Sequence, residues 1–149
     1  MKNILITGCG SGLGRKAAIA LANREHFVYA TTHTQEQADH LNKLNKKWCL
    51  PMHAFKLDIR NLDDRHKVRK LNLDILINNA AIGDSGSVCE IDVNRYRNVF
   101  ETNIFSAIEL TQEVLKDMIS KREGRIIFLS SLAGRSPIPF LSPYCGSKF

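Results

Sequence analysis

With 149 residues, 44% of them hydrophobic and 24% charged, the chain has the make-up of one ordinary globular domain. That length buries a real core, about 70% of the unfolded surface. No apolar run approaches the ~20 residues that span a bilayer, and the stretch Met1–Gly8 lacks the long apolar core and cleavage site of a signal peptide. The formal charge of +6 gathers partly in Lys43, Lys46 and Lys47 and partly in Arg65, His66, Lys67, Arg69 and Lys70. Both clusters read as solvated helix faces, and no aromatic-interleaved groove accompanies them, which argues against a nucleic-acid partner. Cys9, Cys49, Cys89 and Cys145 show no Cys-x-x-Cys spacing. Free thiols in the cytoplasm are therefore expected, with neither a disulfide framework nor a metal site.

In chain order, Lys2–Thr7 is a short apolar run suited to a buried strand. Gly14–Arg24 carries Ala17, Ala18, Leu21 and Ala22 at helical spacing. Phe27–Thr32 is a second strand, Gln35–Lys46 a polar helix with a stripe of Ala38, Leu41 and Leu44, and Met52–Leu57 a third strand after Pro51. A short charged helix is expected over Asn61–Leu71, and a fourth strand over Leu73–Asn78. Asp92–Lys121 holds a long helical pattern from Tyr96 through Val99, Ala107, Leu110 and Val114 to Met118. Gly124–Ser130 is a fifth strand, followed by a proline-containing loop over Ser131–Pro143 and a helix starting near Tyr144. Short apolar strands alternating with helices predict a single α/β domain, a parallel sheet covered on both faces.

Thr7-Gly8-Cys9-Gly10-Ser11-Gly12-Leu13-Gly14 lies between the first strand and the first helix. Glycines there permit a tight turn and let backbone approach a pyrophosphate, which then meets the free N–H groups of the helix N-terminus. The spacing Thr-Gly-x-x-x-Gly-x-Gly differs from Gly-x-Gly-x-x-Gly, and with it the chain resembles the compact branch of the short-chain dehydrogenase/reductase family. Other marks follow in order: Asp58 after the third strand, Asn78-Asn79-Ala80-Ala81 after the fourth, Asn103 in the long helix, Ser131, and Tyr144 with Lys148. Alanine replaces the last glycine of the family's Asn-Asn-Ala-Gly segment. The resemblance runs from Lys2 to Phe149. It implies a Rossmann-type doubly wound sheet, and NAD(P)-dependent interconversion of an alcohol and a carbonyl.

Carbonyl reduction needs a hydride and a proton, and a free tyrosine, with a pKa about 10, is a poor proton shuttle at neutral pH. A nearby ammonium favours the phenolate. Tyr144 and Lys148 are four residues apart and share a helix face. The resemblance implies that Tyr144 is the general acid/base, that Lys148 assists it and holds the nicotinamide ribose, and that Ser131 hydrogen-bonds the substrate oxygen. Asn103 falls on the apolar stripe of the long helix, where a buried amide needs partners. It is expected to mark a bend, which the resemblance makes part of a proton relay. The cofactor site implied comprises Gly8, Ser11, Gly12, Leu13 and Gly14, then Thr32, His33, Asp58 and Ile59, and then Asn79, Ala80, Ala81, Tyr144 and Lys148.

At the end of the second strand NAD-using relatives carry a carboxylate for the ribose. Here Thr32 and His33 stand in its place, and His33 with Arg15 offers donors or positive charge, so NADP is favoured over NAD. The loop from Ala133 to Leu141 is apolar after Arg135, which suits a lipophilic alcohol or ketone, or simply packing on the core. Family members continue well past the lysine. The expectation is therefore a sheet missing its C-terminal strands, in a truncated or split chain with a homo-oligomeric or complementing C-terminal partner. A catalytic helix of at most two turns would be marginal by itself, and the fifth strand would be an open edge. The alternatives are a non-catalytic cofactor-binding or interaction protein, and a remnant without a stable fold.

Overall fold

In a computed structural model describing all 149 residues, the apolar runs become strands β1 (Asn3–Ile6), β2 (Phe27–Thr32), β3 (Met52–Lys56), β4 (Ile75–Asn78) and β5 (Arg125–Phe128). All four pairings are parallel, in the order β3-β2-β1-β4-β5. Between them run α1 (Gly12–Ala22), α2 (Gln35–Trp48), α3 (Leu62–His66), α4 (Val93–Phe100), α5 (Ser106–Lys121) and α6 (Ser142–Lys148). The chain moves outward from β1 to β3 on one side, then returns to β4 on the other. This reversal opens a crevice beyond the carboxyl ends of β1 and β4, where a doubly wound sheet binds ligands.

Strand periodicity divides the core. Ile4 and Ile6 point to the face covered by Ala18 and Ala22 of α1 and Ala38 and Leu41 of α2. Leu5 points the other way, with Leu76, to meet Leu110, Val114 and Met118 of α5. Small alanines on α1 and α2 let those helices lie close to the sheet. A capping box at Thr34, whose hydroxyl accepts from Gln37 N–H while the Gln37 side chain accepts from Thr34 N–H, starts α2 where the sequence pattern expects it.

Two expectations are corrected. The sheet is not covered throughout: in β5, Ile127 and Phe128 are exposed, because α5 reaches only Ile126 of that strand. The long helical pattern, in which Asn103 is expected to mark a bend, is interrupted at that residue by one wider π turn, Glu101–Phe105, which joins α4 to α5. The charged segment after β3 is not a fully solvated face either. Arg65 is only 6% exposed; its guanidinium donates to Ile59 O at 2.7 Å and pairs with Glu109 at 2.8 Å.

Asp64 beside it is buried as well, and accepts from Asp58 N–H at 2.8 Å and from Lys56 Nζ at 3.1 Å, with Lys67 on its other oxygen. Burial by itself raises the carboxyl pKa, but the hydrogen bonds from Lys67, Asp58 and Lys56 outweigh it and hold the group at about 2. An unfolded aspartate titrates near ~3.9, so between about pH 4 and about pH 2 the unfolded chain binds more protons. The stabilisation is thus complete above that window and is lost as pH falls through it. Asp64→Asn should cost about 2 kcal/mol at neutral pH and flatten the acid limb of stability measured by circular dichroism. An unchanged acid limb would remove Asp64 from this role.

Candidate active site

A cleft of about 600 Å³ opens at the crevice between β1 and β4. Its floor is the glycine loop. Thr7, buried at the end of β1, accepts two backbone N–H groups, from Asn79 at 3.0 Å and Ala80 at 2.9 Å. The Asn79 amide returns to Thr7 O at 2.7 Å and Gly8 O at 3.2 Å. The loops after β1 and β4 are thereby clasped together. Gly14 makes this possible: a Cβ on it would lie 2.4 Å from the Asn79 amide nitrogen and 2.5 Å from Gly8 O.

Gly8 and Gly12 have φ of +71° and +56°, a left-handed conformation that glycine adopts without strain. Beside Gly12 the space is open. Ser11 starts α1 without a side-chain hydrogen bond, so the first-turn N–H groups of Gly12 and Leu13 keep no intrahelical partner at the cleft. Unpartnered N–H groups at a helix N-terminus beside an open cradle fit a pyrophosphate.

His33, Asp58, Ile59 and Arg60 line one end of the cleft, with His33 Nδ1 3.9 Å from Asp58 Oδ2. Thr32 does not line it. That residue is fully buried, and its hydroxyl donates to Thr34 O at 2.8 Å, because β2 still lies inside the sheet at this point. At the other end stand Ala80, Ala81, Tyr144 and Lys148. Lys148 Nζ donates to Leu129 O at 2.8 Å and sits 5.9 Å from the centre of the Tyr144 ring. Burial pushes the Lys148 ammonium below the ordinary lysine value.

The short helix α6, which carries Tyr144 and Lys148, is not left unsupported. The Tyr96 hydroxyl of α4 hydrogen-bonds Ser142, Ser130 donates to Lys148 O at 2.7 Å, and the Asn103 amide donates to Ser147 Oγ at 2.8 Å. The same amide exchanges both of its groups with the Ile82 backbone, accepting from N–H at 2.8 Å and donating to C=O at 2.9 Å. Asn103, half-buried in the π turn, ties together the long helix, the loop after β4 and α6. Ser131 is half-buried and caps the turn Leu132–Gly134, accepting from Ala133 N–H at 3.2 Å. Its neighbour Ser130 lines the cleft.

Sequence reasoning missed Thr7 as a clasp, and Gln37, Arg60, Asn98 and Thr102 as cleft residues. Arg60 Nη1 donates to Asn98 Oδ1 at 2.8 Å, bridging the loop after β3 to α4. Only its position two residues after Asp58 hinted at this. No three His, Cys, Asp or Glu side chains cluster as metal ligands, and no helix is long and apolar enough to cross a membrane.

Residues 2–149 match the family model for short chain dehydrogenases, and the chain belongs to that family of oxidoreductases. It is 33% identical, over 99% of its length, to the uncharacterized oxidoreductase YusZ of Bacillus subtilis (strain 168), and 32% identical, also over 99%, to retinol dehydrogenase 8 of Bos taurus. It covers 55% and 50% of those two proteins, and so spans about half the length of the relatives it matches. The fold superimposes on an actinorhodin polyketide ketoreductase crystallised with NADPH, with a TM-score of 0.93 at 24% identity, over 99% of this chain and 59% of that one.

Proposed function

We propose that residues 1–149 form one nucleotide-binding domain of an NAD(P)-dependent oxidoreductase that interconverts an alcohol and a carbonyl, with Tyr144 as general acid/base. One observation carries this reading: Tyr144 and Lys148 line the same cleft as the glycine loop. The phosphates belong at Gly8, Ser11, Gly12, Leu13 and Gly14, and the adenosine at His33, Asp58 and Ile59. The nicotinamide end belongs at Asn79, Ala80, Ala81 and Lys148. A bound nicotinamide dinucleotide supplies the hydride exchange.

The chain's own residues handle the proton. Tyr144 holds it at its hydroxyl, and the Lys148 ammonium favours the phenolate that remains after transfer. Ser131 is assigned to the substrate oxygen, since its Oγ keeps a hydrogen free to donate while accepting from Ala133. Asn103 supports both catalytic residues through Ser147 and Ile82. A lipophilic substrate is supported by the exposed Leu132 and Phe140 on the loop entering α6, and by the retinol named in one relative. The open β5 edge supports pairing with a further segment or a second chain, and the exposed Cys49 and Cys89 suit a reducing cytoplasm.

Calorimetric titration of the chain with NADP⁺ and NAD⁺ is the direct test. Saturable binding, tighter for NADP⁺, is expected. Binding without turnover of any alcohol by the complete protein would leave a cofactor-binding protein, and the absence of binding would end the reading.

A further inference from the structure

We infer that Tyr96 is a positioning residue for Tyr144: by holding Ser142, beside the packing of Phe100 on Gly146, it fixes the rotation of α6 and so the place of the Tyr144 hydroxyl in the cleft. This rests on the acid/base reading of Tyr144 given above. α6 does little to fix itself. It has only seven residues, and its N-cap, Leu141, makes no side-chain hydrogen bond to the first turn. Just before it, Phe140 holds a φ of +64°, a left-handed conformation that a bulky L-residue rarely adopts. So short and strained a segment keeps its place only when contacts from elsewhere determine it.

Those contacts come largely from α4 and the π turn after it. The Tyr96 hydroxyl hydrogen-bonds Ser142 Oγ, on the first residue of α6. One turn further along α4, Phe100 covers Gly146, where a Cβ would lie 3.2 Å from Phe100 Cζ. Asn103 then meets Ser147 at 2.8 Å. The neighbour of Tyr96, Arg95, pairs with Asp84 and donates to Ser85 O at 3.0 Å, which fixes the loop after β4. In that loop Gly86 N–H donates to Phe140 O at 2.8 Å. Tyr96 alone joins α4 to α6 by a hydrogen bond.

Ser142 and Gly146 lie on one face of α6. Tyr144, two residues on from Ser142, is turned roughly 200° from it about the helix axis, and lines the cleft with Lys148. Contact on one face thereby sets the heading of the other. At the outer radius of a helix with its side chains, ~5–6 Å, a rotation of about 10° carries a group by about 1 Å. A misplacement of that size can cost as much as about a hundredfold in rate. One hydroxyl on α4 therefore has leverage over a proton transfer it never touches.

Steady-state alcohol oxidation by the complete protein, wild type beside Tyr96→Phe, tests this. Phenylalanine keeps the ring and removes the hydroxyl that meets Ser142. The kcat should fall about tenfold while KM for the alcohol stays within about twofold, the pattern of a group misplaced in the transition state. Ser142→Ala should give the same loss, and the double variant no more than either, because both remove one contact. Ser142→Thr, which keeps a hydroxyl, should retain most of the wild-type kcat. Four results would each overturn the inference while leaving the acid/base reading of Tyr144 intact. These are an unchanged kcat in Tyr96→Phe, a rise in KM in place of a fall in kcat, losses that multiply in the double variant, and a loss accompanied by a collapsed thermal midpoint. No turnover of any alcohol by the wild type overturns that reading and this inference together.

Discussion

Replacing Tyr144 with phenylalanine should lower turnover by about a thousandfold, within the range usual for loss of a general acid/base. The side chain lines the cleft, half-buried, with the Lys148 ammonium near its ring. The hydrogen bonds of this helix run through the Tyr144 carbonyl, which accepts from Ser147 Oγ at 2.8 Å, and not through its hydroxyl. Phenylalanine keeps the ring packing and the helix, and removes only the hydroxyl proposed to carry the proton. A thousandfold loss is about 4 kcal/mol of transition-state stabilisation. The measurement is alcohol oxidation by the complete protein, followed through reduced-nicotinamide absorbance, beside the thermal midpoint of wild type and variant. Wild-type turnover in the variant would mean that another group moves the proton. A collapsed midpoint would instead mean a structural role.

Gly14→Ala should cost about 3 kcal/mol of stability and weaken dinucleotide binding more than about a hundredfold. The added Cβ would meet Gly8 O at 2.5 Å and the Asn79 amide at 2.4 Å. One methyl group therefore pries apart the two loops that Thr7 and Asn79 clasp. Neither neighbour can yield easily, since one is backbone and the other is held at 2.7 Å by Thr7 O. Gly12→Ala is the matched control. Its φ of +56° strains an alanine by about 1 kcal/mol, but the space beside it is open. Denaturant unfolding of both variants separates steric collision from backbone strain, and cofactor titration is read for Gly14→Ala alone. Equal effects at the two positions would show that close approach at Gly14 is not what matters.

The sheet was legible because it obeys a local rule. Each strand is a short apolar run between glycine, proline or polar breaks, and the observed strands lie inside the expected spans, from Asn3–Ile6 within Lys2–Thr7 to Arg125–Phe128 within Gly124–Ser130. The order of the glycine loop, Asp58, Asn79, Asn103 and the Tyr144–Lys148 pair was also readable, because these are sequence spacings. The π turn was not. Its partners, Ile82 and Ser147 engaged by Asn103, come from segments distant in sequence.

Arg65 and Asp64 read as solvent-facing because charge normally stays in water. They are buried because Ile59, Glu109, Lys56 and Lys67 supply compensating partners, and no local pattern encodes that meeting. Thr32 against His33 is a similar case. Counting brings the chain to the end of β2, but only the depth of the strand in the sheet decides which of the two side chains reaches the cleft.

By itself the sequence determined that this chain is a parallel α/β domain of the short-chain dehydrogenase family, since periodicity and motif spacing are properties of neighbouring residues. Tertiary structure alone decided that a three-way contact at Asn103 braces α6, that Thr7 and Asn79 clasp together the loops after β1 and β4, and that His33 rather than Thr32 faces the cleft. Those outcomes depend on distances between residues far apart in the chain, which packing sets.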